Sequence, residues 1–147
     1  MLSRPHKRPN KGFTLLELMI VISILGILAA ILLPVLMRAR LKSYHTACAQ
    51  NERNIATALQ MYANEHKDLY PATLEELTDN SDGAPFIQHI DPCPSNNVSY
   101  SATYAPSADL TEYHLPCPGI HEAQMPGLVQ DGYPQVINGE LFQYGPP

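Results

Sequence analysis

Two groups of residues have the types and the setting to do chemistry. The first is Glu17, a carboxylate inside the otherwise apolar run FTLLELMIVISILGILAAILLPVLM at residues 13–37, which follows Lys11-Gly12. The second is a pair of Cys-Pro dipeptides, Cys93-Pro94 and Cys117-Pro118, with His89, His114 and His121 near them in sequence. An acidic side chain in an apolar helix costs about 2.5 to 3.5 kcal/mol at a bilayer centre, so a chain that keeps one there is using it. Thiols near imidazoles can oxidise to a bridge or hold a soft metal ion. No Gly-x-Ser-x-Gly, His-Glu-x-x-His or phosphate-loop pattern occurs, and scattered carboxylates are not an acid/base pair. An enzyme is therefore not expected, and a membrane-anchored enzyme or ligand-binding protein is the minor alternative.

These residues need elements to place them. At a helical rise of 1.5 Å, residues 13–37 extend roughly 37 Å, enough to cross a bilayer core. A secretory signal peptide does not fit, because a cut after Ala30 or Ala29 would put Leu28 or Ile27 where a small residue is required. Pro34 cannot donate to the carbonyl of Ala30, so a kink or local break is expected there, with Gly26 a second weak point. Beyond Met37 the pattern turns amphipathic. Leu41, Tyr44, Cys48, Ile55, Leu59 and Tyr62 recur at steps of three, four or seven, while Arg53, Gln60 and Asn64 fall elsewhere. One continuous helix from Phe13 to about His66 is expected, with Cys48 a small buried residue of its stripe.

The helix should stop before Tyr70-Pro71, and Thr73-Leu74-Glu75-Glu76 reads as a capping box opening a short helix to Leu77. Val98, Tyr100, Ala102 and Tyr104 alternate with polar residues as a strand does. The turn residues Pro106-Ser107-Ala108-Asp109 separate them from a second strand, Glu112 to Cys117. A second hairpin is expected at Tyr133–Ile137 and Glu140–Tyr144 around Asn138-Gly139, with Pro134 confining its strand to an edge. The fold class expected is α+β, a long helix packed by its outer half on a small antiparallel sheet.

Charge is distributed unevenly. Four of the nine Lys and Arg lie in the first twelve residues, and from Asp68 to Pro147 there is none against eleven Asp and Glu, a formal charge of −11. Such a surface repels phosphates, so nucleic acid binding by the head is not expected.

Lys11-Gly12-Phe13-Thr14-Leu15-Leu16-Glu17, followed by an uninterrupted apolar stretch, resembles the type III signal of type IV pilins and type II secretion pseudopilins. The resemblance covers about the first 40 residues closely. It implies four regions: a cleaved leader (1–12), a transmembrane and filament-core helix (13–37), the amphipathic half of that helix (38–67) and a small acidic head (68–147). It further implies that prepilin peptidase cuts between Gly12 and Phe13 and N-methylates Phe13. Glu17 would pair with the Phe13 amine of a neighbouring subunit, and helix would be lost near Pro34 on assembly. The implied partners are like subunits, the peptidase, an inner-membrane assembly platform and, before assembly, membrane lipid. The implied location is the inner membrane, single-pass, and then a periplasmic pseudopilus or an extracellular pilus. The short head and its Tyr-Pro-helix segment favour a secretion pseudopilin over a pilin for adhesion, motility or DNA uptake.

In an exported head, Cys93 before the first expected strand and Cys117 at the end of the second are expected to form a disulfide. Zinc held by Cys93, Cys117, His121 and either His114 or His89 is the rival, lacking the close ligand pairs of recognisable zinc sites. Calcium at Asp79-Asn80-Ser81-Asp82-Gly83 fails the EF-hand pattern, and a solvated turn is expected instead. No metal or cofactor is expected on this reading.

Overall fold

The computed structural model describes residues 12–79, 81, 83–121, 125, 127, 129, 130 and 132–144. The leader charges, Asn80, Asp82 and the terminal Gly-Pro-Pro lie outside them. The chain forms two compact units, residues 1–38 and 39–147.

Helix α1 runs from Leu15 to Glu65 and contains Pro34. In the first unit its side chains are exposed all round, including Leu16, Ile20, Ile24, Ile31 and Leu36. An 18-residue window there has a mean hydropathy of 2.9 and no buried residue, so by length and composition this stretch can cross a membrane. The helix passes through Gly26 and Pro34 without interruption, although Pro34 leaves the carbonyl of Ala30 without its usual donor.

In the second unit the helix buries one stripe: His45, Cys48, Ala49, Glu52, Ile55, Ala56, Ala58, Leu59 and Ala63. The steps of three and four follow the helical repeat, and Arg53, Gln60 and Asn64 are exposed as their spacing requires. His45 and Glu52 are polar members of the stripe that an apolar pattern passes over. The helix ends in a left-handed turn at Lys67 and Asp68, φ 61° and 62°, where the Asp68 N–H donates to the carbonyl of Ala63 at 2.9 Å.

A 3-10 turn spans Leu74–Leu77, capped by Glu76 Oε1, which accepts from the Thr73 N–H at 3.0 Å. The expected Val98–Tyr104 strand is instead a 3-10 turn at Tyr100–Ala102. The Ser99 hydroxyl accepts from the Ser101 N–H at 3.2 Å, which bends the chain and still buries Tyr100. Four short strands follow: β1 (Ala105–Pro106), β2 (Tyr113–Pro116), β3 (Gln135–Ile137) and β4 (Glu140–Phe142), in the order β1-β2-β3-β4. All pairs are antiparallel, with Leu115 opposite Val136 and Val136 opposite Leu141.

The second hairpin forms as expected. Asn138 (φ 49°) and Gly139 (φ 88°) both occupy the left-handed region that a type I′ turn demands. A Cβ on Gly139 would also run into the Gln60 side chain. The placement of Pro134 is a correction: β3 is an inner strand, and Pro134 lies just before it, where its missing N–H takes no bond out of the strand and its carbonyl accepts from the Cys117 N–H at 2.9 Å. The core of this unit joins Ile55 and Leu59 of the helix to Leu74, Leu77, Tyr100, Tyr113, Leu115 and Val136.

Candidate functional site

In the first unit, Gly12, Phe13 and Thr14 precede α1 and belong to no helix or strand. A Cβ at Gly12 would meet nothing within 4 Å, and Phe13 is 77% exposed. Glu17 Oε2 accepts from the Thr14 N–H at 2.9 Å and from the Thr14 hydroxyl at 2.8 Å. The Glu17 N–H in turn donates to Thr14 Oγ1 at 3.2 Å, completing a reciprocal cap on the helix start. The Thr-x-x-Glu spacing that signals this cap is visible in the sequence, yet Thr14 was not among the expected site residues.

In the second unit a different group converges. Cys48 comes from the buried stripe of α1, Cys93 from the loop before the Tyr100 turn, Cys117 from the residue after β2, and His121 from four residues further on. All four are buried, and one ligand atom from each falls within 4.8 Å of the others. Cys93 Sγ is 2.7 Å from Cys48 Sγ, 3.5 Å from Cys117 Sγ and 3.9 Å from His121 Nε2. Cys117 Sγ lies 3.3 Å from His121 Nε2.

The surrounding backbone is fitted to the cluster. The Gly119 N–H donates to Cys117 Sγ at 3.4 Å, and a Cβ on Gly119 would come within 2.5 Å of Ser95 Oγ, 2.7 Å of Cys93 Sγ and 2.8 Å of His121 Nε2. Asn96 Nδ2 donates to the Pro118 carbonyl at 2.6 Å and ties the two Cys-Pro loops together. The Tyr100 hydroxyl donates to the Cys48 carbonyl at 3.3 Å.

The electrostatics single out one sulfur. Hydrogen bonds from the Cys117 and Cys48 thiols, then from His121 and Ser95, hold Cys93 well below the ordinary thiol range, against its burial. Cys117 is pushed up by its bonds to Cys48 and Cys93 and by burial. Glu52, one helical turn beyond Cys48, is fully buried, and neither carboxylate oxygen has a hydrogen-bond partner among the described residues.

One comparison falls on the amino-terminal segment. Residues 7–33 match the family described as the prokaryotic N-terminal methylation motif. The chain is 39% identical over 83 residues to the type II secretion system core protein G of Pseudomonas aeruginosa, covering 54% of this chain and 58% of that one. It is 40% identical over 68 residues to the type IV major pilin protein PilA of Myxococcus xanthus, covering 46% and 30%. The chain carries the prepilin-type amino-terminal motif and is similar over about half its length to a pilin and a secretion core protein.

A third similar protein, the type IV wide pilus major component PilA4 of Thermus thermophilus, is 44% identical over 55 residues, 37% of this chain and 42% of that one. The chain thus spans between about a third and three fifths of the length of these relatives. No solved structure matches it.

Gly12, Phe13 and Glu17 lie together at the start of α1, whereas Gly26 and Pro34 lie further along it. Cys93 and Cys117 are adjacent, as expected, but all three cysteines are free and the sulfur nearest to Cys93 is that of Cys48. Neither histidine named as the fourth member of the rival zinc set lies in the cluster. His114 Nε2 is engaged with Gln135 Oε1 at 2.7 Å, and the exposed His89 faces Asp91 at 3.4 Å, so neither joins the cluster. Asp79 closes a turn by accepting from the Ser81 N–H and hydroxyl at 2.9 and 2.8 Å.

Proposed function

We propose that this chain is a structural subunit of a type IV pilus-like filament, cut between Gly12 and Phe13 by prepilin peptidase and N-methylated on Phe13. The observation that carries the reading is the match of residues 7–33 to the methylation motif on a helix whose apolar side chains are exposed all round. Such a surface is stable only in lipid or against other apolar helices. Membrane lipid holds residues 13–37 before assembly, with the leader on the cytoplasmic side, and like subunits replace the lipid in the filament. An inner-membrane assembly platform is the remaining partner, and helix around Pro34 and Gly26 loosens during the transfer.

Glu17 is the assembly carboxylate. In the single chain its Oε2 caps its own helix through Thr14, and its Oε1 can accept the methylated Phe13 amine of a neighbour. In a low dielectric that ion pair is favourable when complete and costly when half-made.

A secretion pseudopilin, assembled in the periplasm, is favoured over an extracellular pilus subunit. The similarity to core protein G supports this, covering 54% of this chain against 46% for PilA. Intact-mass measurement of the membrane-extracted chain, with and without prepilin peptidase, tests the processing. The expected result is loss of residues 1–12 and gain of one methyl group. Glu17→Ala should be processed as the parent is and yet yield few filaments by electron microscopy; filaments at parental levels would remove Glu17 from assembly.

A further inference from the structure

We propose that Cys48, Cys93, Cys117 and His121 form a tetrahedral Cys3His zinc site that fastens helix α1 to the two Cys-Pro loops of the head. The proposal stands apart from the filament reading, since it uses only residues of the second unit.

The donor set is the first ground. Three sulfurs and one imidazole nitrogen, drawn from positions 45 and 24 residues apart in sequence and then from a residue four further on, converge within 4.8 Å in a buried place. Three thiolates with one neutral imidazole are a recurrent structural zinc set. With Zn–S bonds of about 2.3 Å, the edge of a sulfur tetrahedron is about 3.8 Å. The separations of 3.5 Å (Cys93 to Cys117), 3.3 Å (Cys117 to His121) and 3.9 Å (Cys93 to His121) lie near that edge. The 2.7 Å between Cys48 and Cys93 would open by about an ångström around the ion.

The second ground is the cradle. Gly119 is buried and approaches so closely that a Cβ would strike Ser95, Cys93 and His121, while its N–H points at the Cys117 sulfur. A backbone N–H donated to a ligating sulfur stabilises the thiolate form. The Cys48 carbonyl is held by Tyr100, and the loops are joined by Asn96.

The third ground is the odd number of thiols. Any one disulfide would leave the third sulfur packed against it, which is the arrangement for thiol–disulfide exchange, and would leave His121 Nε2 facing no ligand. Zinc satisfies all four atoms together. On binding, three S–H bonds break, the protons leave to solvent, and the sulfur lone pairs and that of Nε2 are donated to the ion; no oxidant or reductant is involved.

The test uses the full chain in detergent, extracted under nitrogen without chelator. Elemental analysis should find one zinc per chain, released by a mercurial reagent together with three titratable thiols. Exchange for cobalt should give the visible bands of a tetrahedral thiolate site. Cys48→Ser should reduce zinc retention at least tenfold while His89→Ala and His114→Ala retain it. Should Cys48→Ser fail to fold, His121→Ala read by the cobalt spectrum keeps the test open, since loss of the imidazole changes the bands without removing a thiol. A chain two hydrogen atoms lighter than its reduced form, with one free thiol and no zinc, would overturn the proposal in favour of a disulfide. Three free thiols that take up neither zinc nor cobalt would overturn it as well.

Discussion

Replacing Glu52 by glutamine should make the head more stable at neutral pH and flatten its response to pH. Glu52 is completely buried on the inner stripe of α1, with neither oxygen partnered among the described residues. Burial, and then the charge on Cys93, push its carboxyl from an ordinary 4.5 up to about 9. At pH 7 the folded chain therefore holds Glu52 as the neutral acid, whereas the unfolded chain ionises it. Folding takes up a proton, so this residue's contribution is fully present below about pH 4.5, declines through neutrality and is lost as pH passes about 9. Each pH unit in that window is worth about 1.4 kcal/mol, and the two and a half units from 4.5 to 7 amount to about 3 kcal/mol. Glu52→Gln keeps the shape and the neutrality while removing the proton linkage. The variant should exceed the parent by about 3 kcal/mol at pH 7 and match it at about pH 4. Urea denaturation of the detergent-solubilised chain, followed through the near-UV circular dichroism of its tyrosines, measures the difference. Subtracting variant from parent removes the titration of every other group. Parallel stability–pH curves, or a variant less stable at pH 7, would show that Glu52 is ionised and paired in the fold.

Gly119→Ala should destabilise the head by about 1 to 3 kcal/mol, because the new methyl meets three atoms at 2.5 to 2.8 Å in a buried place; a denaturation midpoint equal to the parent's would show that the loop has room to give. Leu59→Ala, at a position with no exposure in the middle of the core, should cost about 2 to 5 kcal/mol in the same assay while leaving the Gly12-Phe13 cut unaffected. Gly12→Val should slow or abolish shortening of the chain by prepilin peptidase, since Gly12 offers no side chain to obstruct a protease, and intact mass reads the result.

What the sequence disclosed follows how local the governing rule is. The helix stripe, the Thr73 to Glu76 cap and the Asn138-Gly139 hairpin depend on residues at most a few places apart, and each is where the pattern puts it. The Val98–Tyr104 alternation misled because a period of two is also met by a tight turn that buries Tyr100 and leaves its serine neighbours outside. In addition, Thr103 Oγ1 donates to the Pro116 carbonyl at 2.7 Å, a bond to a distant segment that no local pattern encodes. Cys48 escaped for the same reason. Its step in the stripe is that of any small core residue, and only folding brings it to Cys93, 45 residues away. Glu52 was hidden more simply, since one carboxylate in an amphipathic helix reads as solvated until its burial is seen.

The two stretches of α1 meet opposite physical demands, and this bears on why the head should be closed by its own side chains. Residues 13–37 carry an exposed apolar surface, and on the function proposed above lipid would cover it first and neighbouring subunits later, so its environment would have to be exchanged. The head beyond residue 67 carries no Lys or Arg and a formal charge of −11, so neighbouring heads of its kind repel rather than support one another. A head that relied on neighbours for its stability would be loose during its time as a single chain in the membrane, when its strands of two to four residues bury little. Cross-linking Cys48 on the helix to Cys93, Cys117 and His121 within one chain removes that dependence. Zinc should therefore be present before assembly, and chelation of the unassembled chain should loosen the head while leaving cleavage at Gly12-Phe13 intact.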